Sequence, residues 1–224
     1  MDPVLVMAAH GTADPAGLAE LHRLAALVRA AAPTVPVELS FVDVAAPTLA
    51  ETLAQLGERP AVVVPVLLSV GYHVRVDIPD VVAGRSGGGW TRVSEPIGPD
   101  DRLTAVLFER MSAVSGPEAD SVLVVAAGSS DPEARRQLEQ VAAQLTAIMA
   151  SEGWPLPVRV AQLTESDPFA GVSPRAAVAN YLLAPGFFDT KLRRLAEGRP
   201  VAAPLGAHLG VAEVILDRYR TTTD

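Results

Sequence analysis

Chemistry has few places to reside in this sequence. It contains no cysteine and four histidines, His10, His22, His73 and His208. Disulfides, thiolate metal sites and a cysteine nucleophile are therefore excluded, and imidazoles are the nitrogen ligands on offer. The stretch from Val62 to Pro79 reads VVVPVLLSVGYHVRVDIP. An unbroken β-branched and aliphatic run gives way at Ser69 to Gly71, and Tyr72, His73, Arg75 and Asp77 follow at once. A second apolar run, Val4 to Ala9, ends on His10-Gly11-Thr12-Ala13-Asp14-Pro15. A neutral imidazole binds borderline divalent metals and accepts a proton near neutrality, since its ordinary pKa is about 6.5. Two of them at one place suit iron, cobalt, nickel or zinc with positions left open. Structural sites usually take four ligands, so a metal held transiently or for reaction is the better expectation.

The elements that must position these residues follow from periodicity. Continuous apolar runs such as Val62 to Leu68 are how strands covered on both faces of a parallel sheet read. Asp14 and Pro15 mark a helix start, after which Leu18, Leu21, Ala25 and Val28 recur at helical spacing. His22 lies on that helix as an ordinary surface residue. Pro36 to Asp43 alternates as a strand with Asp43 at its end, Pro47 to Leu56 is a short helix, Trp90 to Pro96 a fourth strand and Arg102 to Met111 a helix. Gly84-Arg85-Ser86-Gly87-Gly88-Gly89 reads as a surface loop, with closure over a ligand as the rarer alternative. Strand and helix alternating on short connections predict parallel pairing and right-handed crossovers, with ligands at the carboxyl edge of the strands. His10 and His73 then face one opening.

From Ser121 the plan repeats. Leu123 to Pro132 overlays Val6 to Pro15 without a gap, Pro157 and Pro168 match Pro36 and Pro47, and Leu182 to Gly186 matches Leu67 to Gly71. Glu95 to Gly98 with Glu109-Arg110 matches Ala203 to Gly206 with Asp217-Arg218. The predicted fold is α/β, two tandem units over residues 1–115 and 119–224, each a small, mostly parallel four-stranded sheet flanked by helices, with a cleft between them. His10 falls opposite Ala127 and His73 opposite Phe188, while the surrounding glycines, prolines and aliphatics are kept. Histidines needed for turn geometry should recur in the second copy. Their loss there speaks for chemistry.

Composition narrows the function classes. A formal charge of −8 argues against nucleic acid or an anionic membrane as partner. No apolar run approaches the roughly 18–20 residues of a membrane span, and the start carries no basic region of a secretory signal, so a cytoplasmic protein is expected. No G-x-G-x-x-G or Walker pattern follows the first strand, which disfavours a nucleotide enzyme. A phosphatase with His10 as nucleophile would want a basic neighbour, and Ala8-Ala9 supply none.

Three segments carry a family resemblance: Ala9-His10-Gly11-Thr12 with Asp14-Pro15, Ser40-Phe41-Val42-Asp43 with Pro47, and the long Leu68 to Pro79. Together they resemble the sirohydrochlorin chelatase family, the CbiX and SirB type of class II chelatases, over residues 1 to about 113; the second half is similar to the degenerate copy of two-domain members. The resemblance implies ATP-independent insertion of cobalt or ferrous iron, with nickel also compatible, into sirohydrochlorin on the route to cobalamin or sirohaem. It implies no cofactor beyond that metal substrate. By position, His10 and His73 match the family's metal-binding and catalytic histidines. Many relatives have Ser after His-Gly, where Thr12 or Ala13 stands, and Glu where this chain has the shorter Asp43, a supporting carboxylate whose reach to the metal is thereby in question. For the eight-carboxylate macrocycle the candidate contacts are Gly11, Thr12, Ser69, Gly71, Tyr72 and Arg75, with Ser129-Ser130 and Phe187 or Phe188 from the second half. The fused second copy replaces the partner a one-domain relative would recruit, so a monomer is expected. The alternative from another class is a non-catalytic metal or tetrapyrrole carrier.

Overall fold

A computed structural model describes residues 2–86, 88–116 and 118–223. In chain order the elements are β1 (Val4–Ala9), α1 (Pro15–Ala31), β2 (Val37–Phe41), α2 (Leu49–Gln55), β3 (Ala61–Val66), a π-helical turn (His73–Asp77), α3 (Ile78–Ala83), β4 (Thr91–Val93) and α4 (Asp101–Ser112). They continue with β5 (Val122–Ala126), α5 (Pro132–Ser151), β6 (Val158–Gln162), β7 (Ala177–Tyr181), α6 (Phe187–Leu195) and α7 (Leu209–Thr223). Among the described residues no helix is long and apolar enough to cross a membrane.

The chain divides into two compact units, one of Met1–Gly98 with Ala207–Asp224 and one of Pro99–Gly206. This composition differs from the break expected near residues 112–119. Helix α4 packs on α5 and β7, and α7 packs on α1 and β3, so each half's closing helix belongs to the other half's sheet. A helix with one apolar stripe does not encode which sheet it will cover, and short Ser/Gly/Pro segments therefore mislead as boundaries.

In the first unit all strands are parallel in the order β2-β1-β3-β4. Every residue of β1 and β3 is buried, as two-sided coverage requires. One layer of the core joins Val4, Val6 and Ala8 of β1, Ala61 and Val63 of β3, Leu49 and Leu53 of α2, and Ile78. Asp14 caps α1 by accepting from Ala16 N at 2.8 Å, with Pro15 at the first helical position. Thr48 and Glu51 form a capping box on α2. The terminal helix is tied in where the Tyr219 hydroxyl donates to Pro3 O at 2.7 Å.

The second unit is parallel in the order β6-β5-β7. Its expected fourth strand is reduced to a single bridge between Val178 and Val201. Pro200 O accepts from Val178 N and Ala202 N donates to Val178 O, but Pro200, standing where the first copy has Arg92 within β4, has no N–H with which to extend the ladder. The duplication reaches individual hydrogen bonds. Val42 N donates to Ala9 O at 2.8 Å, and Leu163 N to Ala126 O at 3.0 Å; Ser94 N donates to Val63 O, and Ala202 N to Val178 O.

Gly87 lies outside the described residues, so the triple-glycine loop is seen only in part. A Cβ on Gly89 would stand 2.4 Å from Glu58 O and 2.6 Å from Arg59 O. That glycine is held against the turn after α2.

Candidate active site

Register places the site. Ala9 pairs with Phe41 on one side and Val66 on the other, so β1, β2 and β3 end level, and the residues that follow all emerge at one edge of the sheet. His10 follows β1 directly. Its carbonyl accepts from Asp43 N at 3.0 Å, which ties the loop after β1 to the loop after β2. Gly11 then turns with φ +95, and a Cβ there would lie 2.0 Å from Asp43 O; only glycine permits both the turn and the approach. The second copy keeps this turn at Gly128, φ +99, without the histidine.

From β3 the chain runs through Leu67 to Tyr72 into the π-helical turn. The Ile78 N–H donates to His73 O, the i to i+5 bond of a π turn, and Arg75 N donates to Gly71 O at 3.0 Å. These contacts set the His73 ring beside that of His10, with centroids 4.8 Å apart and planes tilted by 43°. Two imidazoles 63 residues apart in the sequence are thus in contact. His73 also meets Asp77, Nδ1 to Oδ2 at 2.5 Å, each side chain about a third exposed at 32% and 34%.

The electrostatics keep His10 neutral. Desolvation by the protein around its partly open ring is the largest effect, and it lowers the pKa below the ordinary imidazole value; the neighbouring His73 lowers it further, while the Asp43 carboxylate pulls the other way. At neutral pH the ring nitrogens of His10 are therefore not both protonated, and a lone pair is available to a cation.

Asp43 is exposed, and its Oδ1 accepts from Val44 N at 2.8 Å. Among the described residues no group of three His, Asp or Glu side chains is placed to hold a metal. The two imidazoles stand together at this edge, and the Asp43 carboxylate acts on His10 through its charge. Thr12 accepts from Asp14 N at 3.1 Å, and Ser129 from Asp131 N at 3.1 Å. Both hydroxyls close the same turn in their own unit. The N–H groups of Asp14 and Ala16 are likewise satisfied within that turn, so fewer donors face outward at the start of α1 than the sequence suggests. Ser69 and Gly71 are half-buried, Arg75 is exposed, and Tyr72 is 68% exposed.

The remaining histidines stand elsewhere. His22 is exposed on α1, and His208 Nδ1 accepts from Gly210 N at 3.1 Å at the start of α7. In the second unit, Phe187 and Phe188 meet edge to face at 5.3 Å where Tyr72 and His73 would be, with Phe187 75% exposed. The carboxylate of Asp77 is the feature that sequence reasoning noted without giving it a role. Its separation from His73, four residues along a helical segment, was the available signal.

Comparison with known proteins adds to this geometry. A family model described as CbiX matches residues 4–114. The sirohydrochlorin ferrochelatase of Priestia megaterium is 33% identical over 117 residues, 48% of this chain and 44% of that one. The sirohydrochlorin cobaltochelatase of Sulfolobus acidocaldarius is 34% identical over 88 residues, 38% of this chain and 72% of that one. The chain thus spans under half the length of the Priestia relative it matches. In fold it is similar to the sirohydrochlorin chelatase SirB from Bacillus subtilis subspecies spizizenii, solved in complex with cobalt, with a TM-score of 0.81 at 23% identity over 99% of this chain and 95% of that one.

Proposed function

We propose, from the premise that this chain belongs to the CbiX family of sirohydrochlorin chelatases, that it inserts a divalent metal into sirohydrochlorin without ATP. The observation that carries the reading is the His10–His73 ring pair at 4.8 Å, built at the carboxyl edge of the first sheet and missing from the second copy. Insertion exchanges two pyrrole protons for one dication. Two adjacent imidazoles suit that exchange, because they can hold a partly desolvated cation and take up protons as it leaves. The depressed pKa of His10 favours lone-pair donation at neutral pH. His10 and His73 carry these roles jointly, and the charge of Asp43 supports a cation beside His10.

Cobalt and ferrous iron are the proposed metals. Both accept imidazole, as does nickel, so availability and pathway would decide among them. The product would serve cobalamin or sirohaem formation. Gly11, Thr12, Ser69, Gly71, Tyr72 and Arg75 lie beside the two histidines in sequence and are the proposed contacts for the macrocycle and its carboxylates. We take the working form to be a monomer, since one polypeptide already holds two copies of the unit.

The test is spectral. Sirohydrochlorin with Co2+ or Fe2+ and a small amount of protein should convert over many turnovers, and His10→Ala and His73→Ala should each slow conversion by about 100-fold or more. Near wild-type turnover by His73→Ala would remove the proposal. A change that stops at one equivalent of protein would establish the carrier reading instead.

A further inference from the structure

Asp77 supplies the nearest polar contact of His73. Its Oδ2 lies 2.5 Å from Nδ1, close enough for a hydrogen bond between ring and carboxylate. An ionised carboxylate can only accept, so the proton between them sits on Nδ1. A neutral imidazole carries one ring proton. With Nδ1 occupied, Nε2 is the nitrogen left with a lone pair.

The backbone around this pairing differs from that of the second copy. Ile78 in the first unit and Leu192 in the second are both fully buried members of their cores. Five residues separate His73 from Ile78, and four separate the matching Phe188 from Leu192. The first copy therefore contains one more residue between site and core anchor, and the π turn His73–Asp77 absorbs it. The corresponding segment of the second copy lies within the regular helix α6. Single π turns of this kind concentrate at functional positions. The carboxylate nearest Phe188 in sequence, Asp189, is committed elsewhere, accepting from Asn180 Nδ2 at 2.8 Å and from Arg193 Nε at 3.0 Å. The copy that lost the histidine thus lacks both the extra residue and a carboxylate for the ring.

We propose that Asp77 is the positioning residue of His73, fixing the imidazole in its Nδ1–H tautomer so that Nε2 meets the incoming dication. The pair has the form of the carboxylate–histidine half of a carboxylate–histidine–metal arrangement, in which the carboxylate sets ring orientation and raises ligand basicity. The inference rests on the reading of His73 as a metal ligand, and it is tested here without the insertion reaction. Asp77 acts through His73 and touches no reacting atom.

The experiment uses the full chain with 15N-labelled histidine and no metal. Long-range 1H–15N spectra, recorded where imidazoles are neutral, should show His73 as the Nδ1–H form. An Nε2–H form in the wild-type protein would overturn the proposal before any variant is made. Asp77→Ala should return His73 to the Nε2–H form that free imidazole favours and weaken Co2+ binding by about 10–100-fold. Asp77→Asn retains an accepting oxygen and should recover most of that affinity. An unchanged tautomer in Asp77→Ala, or Co2+ affinity equal to wild type, would sink the idea. If instead wild-type protein binds Co2+ yet never converts sirohydrochlorin, the enzymatic reading fails and the role of Asp77 stands.

Discussion

Replacing Gly11 by Ala tests whether the loops after β1 and β2 are locked as described. The new Cβ would sit 2.0 Å from Asp43 O, 3.2 Å from its carbonyl carbon and 3.3 Å from Ala45 N. Carbon and carbonyl oxygen ordinarily approach to about 3.3 Å, so the Asp43 backbone must retreat by about 1 Å. It cannot do so freely, because Val42 N and Asp43 N are bonded to Ala9 O and His10 O. The left-handed backbone at φ +95 adds about 1–2 kcal/mol for an L side chain, and overpacking typically costs about 1–3 kcal/mol. Together the loss is about 2–5 kcal/mol, a large part of ordinary domain stability. The equivalent Gly128→Ala meets the Thr164 side chain, Oγ1 at 2.3 Å and Cγ2 at 3.0 Å, which can rotate aside or be trimmed. Thr164→Ala in that background should leave little beyond the backbone term of about 1–2 kcal/mol. Trp90 lies in the first unit and Trp154 in the second. Urea unfolding followed by fluorescence in Trp154→Phe and Trp90→Phe backgrounds therefore reads each unit separately. Gly11→Ala should weaken Co2+ binding about tenfold or more, equivalent to about 1.4 kcal/mol, while Gly128→Ala leaves it unchanged. A Gly11→Ala protein with wild-type stability and Co2+ affinity would refute the reasoning.

Two further predictions concern the same edge of the sheet. NMR titration of the metal-free protein should find His10 deprotonating below about 6.5, so the ring stays neutral further into acid than an ordinary histidine. Asp43→Asn should lower that midpoint again and His73→Ala should raise it, the signs following from which charge each removes; a midpoint at or above the ordinary value contradicts the account. Val44 adopts φ +64 and is 60% exposed, in a three-residue turn closed by Ala45 N donating to Asp43 O at 2.7 Å. A β-branched residue is strained there, so Val44→Gly should raise stability by about 1 kcal/mol, and a loss in urea midpoint at unchanged slope would show the strain to be absent.

How much of this could be read from the sequence depended on the range of the interaction concerned. Apolar runs and caps are local, so β1, β3, α1 and their ends were legible, and the level ends of adjacent parallel strands then brought His10 to His73. The exchange of α4 and α7 was not legible, since either helix offers an apolar stripe to whichever sheet is near. The fourth strand of the second unit failed on Pro200, whose missing N–H falls at the position Arg92 holds inside β4. Thr12 and Ser129 read from sequence only as donors at helix starts; in the structure each hydroxyl also accepts a bond that closes its own turn. The role of Asp77 was hidden by the π turn, whose extra residue is visible only once Ile78 and Leu192 are both seen as core anchors.

The duplicated chain acts as an internal control on what the fold requires. Gly11 and Gly128 make equivalent left-handed turns, Asp14 and Asp131 cap the equivalent helices α1 and α5, and Val42 and Leu163 donate to equivalent carbonyls. None of these depends on a histidine. What the first copy has beyond this common frame is His10, His73, Asp77 and one residue of π-helical winding. A parallel sheet with glycine turns folds without them, as the second unit does. Their presence together at one strand edge is what the proposed binding of a dication requires, and the second unit, with Ala127 and Phe188 at the matching positions, does not offer that pair of rings.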